Sequence, residues 1–212
     1  MQAIDHSTEA GSKRLSKAER RRQLLAVAKT FIASEPVEDL TLAVLAERAG
    51  VSKPIAYDHF GSRSGLLIAL LDETSQYYEL DAEAKLAAAP QTLQAIAEIV
   101  AAAYVQCAIA AGPAMSILAA AAEADSEARA AGRALQRDHA ASFKRAFTPV
   151  LSDAPDHLDP LIKALVAAAN AICDDRTQDK ITTKVATQTL THLLVTSLQP
   201  FALDPAQTRR AE

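Results

Sequence analysis

The sequence predicts an all-α protein, in which an N-terminal three-helix helix-turn-helix head precedes a larger helical bundle. Half of the 212 residues are hydrophobic, and only 6 glycines and 9 prolines interrupt the chain. Residues that favour helices, among them Ala, Leu, Glu, Arg and Gln, occur in nearly every segment. The core must contain many small side chains, because alanine is abundant and tryptophan is absent. Such a core buries little apolar area per residue, so we expect dimerisation to add burial.

The first sixty residues predict three helices. Apolar residues recur at helical spacing in residues 16–34. Thr41 is a good N-cap for a short helix to residue 49, and Gly50 supplies the left-handed residue that a helix end favours. Ser52 caps the third helix, which has Pro54 in its first turn and extends to residue 60.

The remainder of the chain predicts longer helices. Ser62 can cap a helix that runs toward residue 78 or 86. Beyond Pro90, the predicted helices span residues 91–111, 113–122, 126–151, 158–174 and 181–198. From Gln199 onward we expect irregular chain, because prolines follow closely. The expected organisation is a flexible polar arm at residues 1–15, a helix-turn-helix domain at residues 16–75 and a helical body at residues 76–212.

The charge of the chain is unevenly distributed. The whole chain has a net charge of −4, which by itself disfavours a nucleic-acid partner. Residues 1–65 hold ten Lys and Arg against eight Asp and Glu, so this part has a net charge of +2 and the remainder −6. This asymmetry indicates a basic contact surface carried by an acidic body.

Residues 41–60 have the spacing of a DNA-binding helix-turn-helix motif. The first helix has an inward face with Leu45 and Ala46, and Gly50 allows a left-handed turn without a Cβ penalty. The second helix can then project into a major groove. Its outward candidates are Ser52, Lys53, Pro54, Tyr57, Asp58 and His59.

Three runs of residues follow one another in a specific order. They are Leu45-Ala46-Glu47-Arg48-Ala49-Gly50-Val51-Ser52-Lys53, then Tyr57-Asp58-His59-Phe60, and then Arg63 with Leu66-Leu67. In this order they resemble the TetR/AcrR family of bacterial transcriptional regulators, over residues 20–71. The resemblance implies an all-α homodimer with an effector pocket in the body. It also implies a ligand-responsive repressor, which a small molecule releases from a palindromic operator in double-stranded DNA. A helical binding protein or carrier without DNA-binding activity is the alternative.

The resemblance assigns DNA contacts to the motif and to the start of the next helix. By position, Thr41 would contact phosphate, while Lys53, Tyr57 and His59 would meet backbone or bases. Arg63 stands where the family usually has lysine, and a cation at a helix N-terminus makes an anion site. The complete expected set is Thr41, Ser52, Lys53, Pro54, Tyr57, His59 and Arg63.

The sequence departs from the family pattern at two places. Ser64 and Gly65 replace acidic, helix-favouring residues, so we expect a less well-formed first turn. Asp58 is acidic on a surface that faces DNA, where it either points sideways or accepts a hydrogen bond from a cytosine amino group. The basic arm residues either reach a minor groove or belong to a solvated tail. These residues are Lys13, Arg14 and Lys17.

Two further sites in the body follow from the resemblance. An effector cavity is expected between helices that cover residues 91–151, although core packing would explain each of its candidates equally well. Those candidates are Tyr104, Gln106, Cys107, Met115, His139 and Phe143. The last two long helices are expected to form a four-helix dimer interface, and a monomer core would explain some of the same apolar stripes. The interface candidates are Leu161, Leu165, Ile172, Leu190 and Leu194.

Other functional classes have little support in the sequence. It shows neither metal-ligand spacing nor a phosphate loop nor a nucleophile elbow, so we expect no enzyme activity, metal or cofactor. Residues 99–122 are long enough to span a membrane, but Gly112-Pro113 should break them into two core helices, so no membrane partner is expected. The N-terminus has no apolar signal region, and Cys107 and Cys173 are expected as buried thiols. These features predict a cytoplasmic protein.

Overall fold

The computed structural model describes residues 15–152 and 158–203. Most of these residues are helical, which confirms the all-α fold class. The α-helices are α1 Lys17–Ser34, α2 Leu42–Arg48, α3 Lys53–Phe60, α4 Arg63–Ala88, α5 Leu93–Ala121, α6 Ser126–Phe147, α7 Leu158–Thr177 and α8 Thr183–Leu198. The expected arm at residues 1–15, with Lys13 and Arg14, lies outside the described residues except for Leu15.

Contacts between residues group the chain into two compact units, residues 1–61 and residues 62–212. The first unit contains α1 to α3, and the second contains α4 to α8. Because α4 packs against α5 and α6, all of it belongs to the second unit. The domain boundary expected at residue 75 lies inside α4. The functional division of the chain into a DNA-binding domain and an effector domain stays a prediction.

α2 and α3 begin after the predicted capping residues Thr41 and Ser52, but only Thr41 makes the capping bond, and the Ser52 side chain makes none. α1 starts with a capping box, in which Ser16 and Glu19 each accept a hydrogen bond from the other's backbone N–H. Thr41 Oγ1 accepts a hydrogen bond from the Val44 N–H at 3.2 Å and so caps α2. The most deeply buried side chains of this unit are Leu24, Ala28, Leu40, Leu45, Ala46 and Ala56.

α5 is the central helix of the second unit and contacts α4, α6, α7 and α8. The prediction of two helices separated at Gly112-Pro113 is wrong, because α5 runs unbroken from Leu93 to Ala121. Buried residues continue at helical spacing through this point, and Ala111, Ala114 and Leu118 are each at most 8% exposed. Packing on both sides of the proline therefore outweighs its intrinsic helix penalty of about 3 kcal/mol.

Among the described residues, one segment is long and apolar enough to cross a membrane, judged by length and composition. This segment, Leu93–Gly112, is the first two thirds of α5. Ile96, Ala97, Ala101 and Val105 within it are at most 1% exposed. The core that α5 forms with its four neighbouring helices thus accounts for part of its apolar character, since 33% of the segment is buried.

The chain after α6 and after α8 differs from the sequence prediction. α6 ends at Phe147 and continues as a 3-10 turn at Thr148–Val150, whereas one helix to residue 151 was expected. A second 3-10 turn at Gln199–Phe201 replaces the first part of the expected irregular tail. The Ser152 N–H donates to the Phe201 carbonyl at 2.8 Å, so the two ends are bound together.

Three of the leucines expected at a dimer interface lie in the core of the chain itself. Leu165 is 3% exposed, and Leu190 and Leu194 are fully buried among the residues of the second unit. Their side chains therefore have no surface to offer to a second subunit. Leu161 and Ile172 are only partly buried, so they stay candidates for that interface.

Leu190→Ala is expected to destabilise the folded chain by about 2–5 kcal/mol, because it removes buried methyl groups and leaves a cavity. Leu80→Ala is the matched control, since Leu80 is 66% exposed and its loss should change stability by less than about 0.5 kcal/mol. Urea denaturation followed by circular dichroism measures both. A Leu190→Ala variant with unchanged subunit stability would show that this leucine is not a core residue.

Candidate nucleic-acid interface and cavity

The helix-turn-helix motif consists of α2, a short turn and α3. The Val51 N–H donates to the Ala46 carbonyl at 2.9 Å, and the Gly50 N–H donates to the Glu47 carbonyl at 3.1 Å. This pair of bonds is a Schellman motif, which ends α2. Gly50 has a φ of 64° and no atom within 4 Å of the place of a Cβ, so conformation and not crowding requires glycine there.

The first turn of α3 and the following turn present an exposed surface. Ser52, Lys53, Pro54 and Tyr57 are all exposed, and we call these four residues the α3 surface. Tyr57 is 52% exposed, which is high for a large aromatic side chain. The Ser52 side chain makes no capping bond, so its hydroxyl and the first N–H groups of α3 are available to an external acceptor.

Asp58 lies beside the α3 surface and pairs with a basic residue of α1. The Lys17 Nζ is 3.1 Å from Asp58 Oδ2, and both side chains are largely exposed. This pairing favours the sideways orientation of Asp58 over a contact with cytosine. Lys17 is the first residue of α1, and so it is part of a helix and not of a tail.

His59 is held against the inner side of the motif. Arg21 Nη1 donates to the His59 carbonyl at 2.8 Å, and its guanidinium carbon lies 4.9 Å from the centre of the Phe60 ring. Burial lowers the pKa of His59, and the nearby positive charges of Lys17, Arg21 and Arg20 lower it further, against the opposing effect of Asp58. His59 is therefore mainly neutral at pH 7 in the chain without DNA.

The remaining expected contacts stand at the beginnings of two helices. Thr41 is exposed, and because its oxygen accepts from Val44, its hydroxyl proton can be donated to a phosphate. Arg63 opens α4. The first turn of α4 is well formed, contrary to expectation, because Ser62 Oγ accepts from the Gly65 N–H at 2.9 Å and Ser64 Oγ donates to Asp125 at 2.5 Å.

Within the second unit, α4, α5 and α6 surround a cavity of about 540 Å³, which we call the α4–α6 cavity. This volume is typical of sites that bind small molecules. Four of the six expected effector residues line it, and much of the remaining lining is also apolar. These four are Tyr104, Cys107, His139 and Phe143.

Two expected effector residues lie elsewhere. Gln106 is exposed and does not line the cavity, because it is two residues from Tyr104 and so points to another side of α5. Cys107, three residues from Tyr104, shares its face. Met115 lines a smaller neighbouring cavity of about 100 Å³, whose wall also includes Asn170.

A hydrogen-bonded group of three side chains lies at the wall between the two cavities. Tyr104 Oη donates to Asn170 Oδ1 at 2.7 Å and lies 3.3 Å from His139 Nδ1. Since the tyrosine has given its one proton to Asn170, His139 must carry a proton on Nδ1 to complete the second bond. Burial lowers the pKa of His139 and raises that of Tyr104, so both are neutral. His139 Nε2 is then an acceptor.

α4 supplies one whole wall of the cavity, and the sequence reasoning missed it. The wall residues are Asp72, Ser75, Gln76, Tyr78, Glu79, Ala82, Glu83, Leu86 and Ala87. Most of them are polar or small, so they look like an ordinary solvated helix face. Their spacing of three and four residues is the signal that marks them as one face.

An ion pair joins α4 to α6 at this cavity. Arg145 pairs with Glu79 and lies 3.9 Å from Glu83, and Ser142 Oγ donates to Glu79 at 2.6 Å. All four residues line the cavity. Sequence reasoning missed them because ion pairs between distant helices leave no local pattern.

The two cysteines are free thiols. Burial raises the pKa of Cys107 and raises that of Cys173 to about 12. Ser75 Oγ lies 3.9 Å from Cys107 Sγ. Both thiols are protonated at neutral pH, so Cys107 contributes to the cavity as a small apolar side chain and not as a nucleophile.

His139→Asn should reduce the loss of unfolding free energy in mild acid. The asparagine amide can supply an N–H donor in place of Nδ1–H, but it does not take up a proton. The unfolded histidine takes up a proton near its ordinary pKa of 6.5, whereas the folded one does so at lower pH. The unfolded state therefore binds more protons below pH 6.5, and the wild-type chain loses stability there. Urea denaturation at pH 7.5 and 5.5 measures the difference. If wild type and variant lost the same free energy of unfolding between pH 7.5 and pH 5.5, His139 would not be a buried neutral group.

Comparison with known proteins agrees with this description of the head. Residues 24–70 match the sequence model of the bacterial regulatory proteins of the tetR family. This range includes the whole of α2, the turn and α3, and it ends in the first part of α4.

Solved structures of similar fold extend the comparison to most of the chain. A TetR-family transcriptional regulator from Streptomyces coelicolor has a TM-score of 0.64 at 19% identity, covering 86% of this chain and 82% of its own. Another, from Pectobacterium atrosepticum, has a TM-score of 0.62 at 22% identity, covering 89% and 97%. FadR from Thermus thermophilus, a TetR-family repressor in complex with lauroyl-CoA, has a TM-score of 0.63 at 16% identity, covering 83% and 93%. Residues 24–70 are thus similar to the bacterial regulatory proteins of the tetR family, and the fold of the chain is similar to that of solved TetR-family transcriptional regulators.

Proposed function

We propose that this DNA-binding regulator is a repressor that a small molecule releases from a palindromic operator. The observation that carries the proposal is the helix-turn-helix with its α3 surface, in a chain that also holds a separate cavity of small-molecule size. FadR, a repressor of similar fold, was solved with a bound ligand, which supports a ligand for this chain as well. A cytoplasmic location follows from a DNA partner.

The α3 surface would lie in the major groove. Lys53 supplies a positive charge for a phosphate, and Tyr57 supplies a hydroxyl and a ring for base edges or sugars. Ser52 and Thr41 offer hydroxyl groups at the starts of α3 and α2, where the helix dipole favours an anion. Arg63 at the start of α4 and the neutral His59 would complete the set.

The ligand response would act through α4. This helix forms one wall of the α4–α6 cavity, and in the chain it follows α3 after only two residues. A ligand that binds one position of α4 better than another shifts the population of the two positions. The affinity for DNA changes as well if those positions differ in DNA binding, because the two binding events are then linked.

The active form would be a homodimer that pairs through the outer faces of α7 and α8. Leu161 and Ile172 on α7 and Leu193 on α8 are only partly buried, and Val185 on α8 is 44% exposed. Small exposed residues on α7, such as Ala164 and Ala171, would allow close approach. A twofold dimer of this kind contacts two half-sites about one DNA turn apart.

Lys53→Ala should weaken binding to a duplex selected from random DNA, and it should lower the slope of log K against log salt by about one, because one phosphate contact is lost. Fluorescence anisotropy between 50 and 200 mM salt, conditions over which such contacts weaken strongly, gives both quantities. Lys163→Ala, which removes an exposed lysine of α7, is the matched control and should change neither. If Lys53→Ala changed neither the DNA affinity nor the salt slope, Lys53 would not be part of the DNA interface.

Val185→Glu should dissociate the proposed dimer, since it buries an unpaired charge in an apolar contact. Leu80→Glu introduces the same charge at an exposed leucine of α4 and should leave the association unchanged. Sedimentation velocity reports the mass of each protein. A Val185→Glu variant that stays dimeric would place the interface on another face.

A further inference from the structure

The α4–α6 cavity has an unbalanced charge. Four carboxylates line it, from Asp72, Glu79 and Glu83 on α4 and from Asp138 on α6. Among the described lining residues, Arg145 supplies the only permanent positive charge. His139 adds none at neutral pH, because burial keeps it neutral. The lining therefore has a formal net charge of −3.

The one arginine is already engaged with the carboxylates of the same cavity. It pairs with Glu79 and lies within 3.9 Å of Glu83. An anionic ligand that took Arg145 for itself would leave Glu79 without this partner and would face the other carboxylates. A cationic ligand meets attraction from the carboxylates without breaking that pair.

The uncharged part of the lining suits the same class of ligand. Ile96, Val100 and Phe143 provide an apolar wall, and Tyr78 and Tyr104 add aromatic rings. Aromatic faces attract ammonium groups as well as apolar groups. His139 Nε2 has no hydrogen-bond partner among the described residues and can accept a bond from a donor on the ligand.

We infer that the α4–α6 cavity selects an amphipathic cation, an apolar molecule that carries a protonated or quaternary amine. The inference rests on the proposed function in taking this cavity as the effector site. It separates this chain from FadR, whose ligand, lauroyl-CoA, is an acyl thioester with anionic phosphates.

Three probes with the same ten-carbon chain test the inference: decyltrimethylammonium, decanol and decanoate. Isothermal titration calorimetry with the full chain at pH 7.5, below micelle-forming concentrations, gives each Kd. The Kd of decyltrimethylammonium should be at least about tenfold lower than that of decanoate, and the Kd of decanol should lie between them. Added salt should reduce the difference in Kd between the cation and decanol, because salt screens the attraction between charges. Equal or tighter binding of decanoate, or no binding of any probe, would overturn the inference.

Paired variants locate the cation in the cavity. Glu83→Gln with Asp138→Asn removes two exposed lining carboxylates and should weaken decyltrimethylammonium binding about tenfold while leaving decanol unchanged. The control, Glu98→Gln with Glu123→Gln, removes two exposed carboxylates outside the lining and should change neither Kd. Equal effects in both pairs would mean attraction by overall charge, which contradicts a selective cavity. A cation that binds selectively without altering DNA affinity would support this inference and contradict the ligand response proposed above.

Discussion

The burial of α5 among four other helices is the interaction on which the second unit depends. α5 contacts α4, α6, α7 and α8, so its apolar side chains hold together helices that are far apart in sequence. It also carries Tyr104 and Cys107 into the cavity. The cavity is the space that remains between α4, α5 and α6.

Local chemistry made the head predictable. Thr41 caps α2 as expected, and Gly50 takes the left-handed conformation that its place after α2 requires. Ser52 precedes α3 as expected but makes no capping bond, and just after the head Ser62 caps α4 as expected. Each of these signals acts within about four residues, so the chain needs no distant partner to show them. The same locality explains why the order of residues in the motif was sufficient to indicate the family.

Long-range packing explains the features of the fold and of the cavity that the sequence did not predict. The pair Gly112-Pro113 predicts a break that burial on both sides overrides. Leu190 and Leu194 have the same helical spacing whether they face their own core or a second subunit, so periodicity alone could not separate the two cases. The polar residues of α4 resemble a solvated surface, and only the position of α6 makes them the wall of a cavity.

In the proposed mechanism, the cavity and the DNA-binding head act as one linked system. The most direct test measures the Kd of the full chain for a selected duplex at increasing decyltrimethylammonium, by fluorescence anisotropy at constant ionic strength. Saturating ligand should weaken DNA binding about fivefold or more, and saturating DNA should weaken ligand binding by the same factor. A duplex Kd that stays constant while calorimetry shows the cavity to be filled would contradict this mechanism.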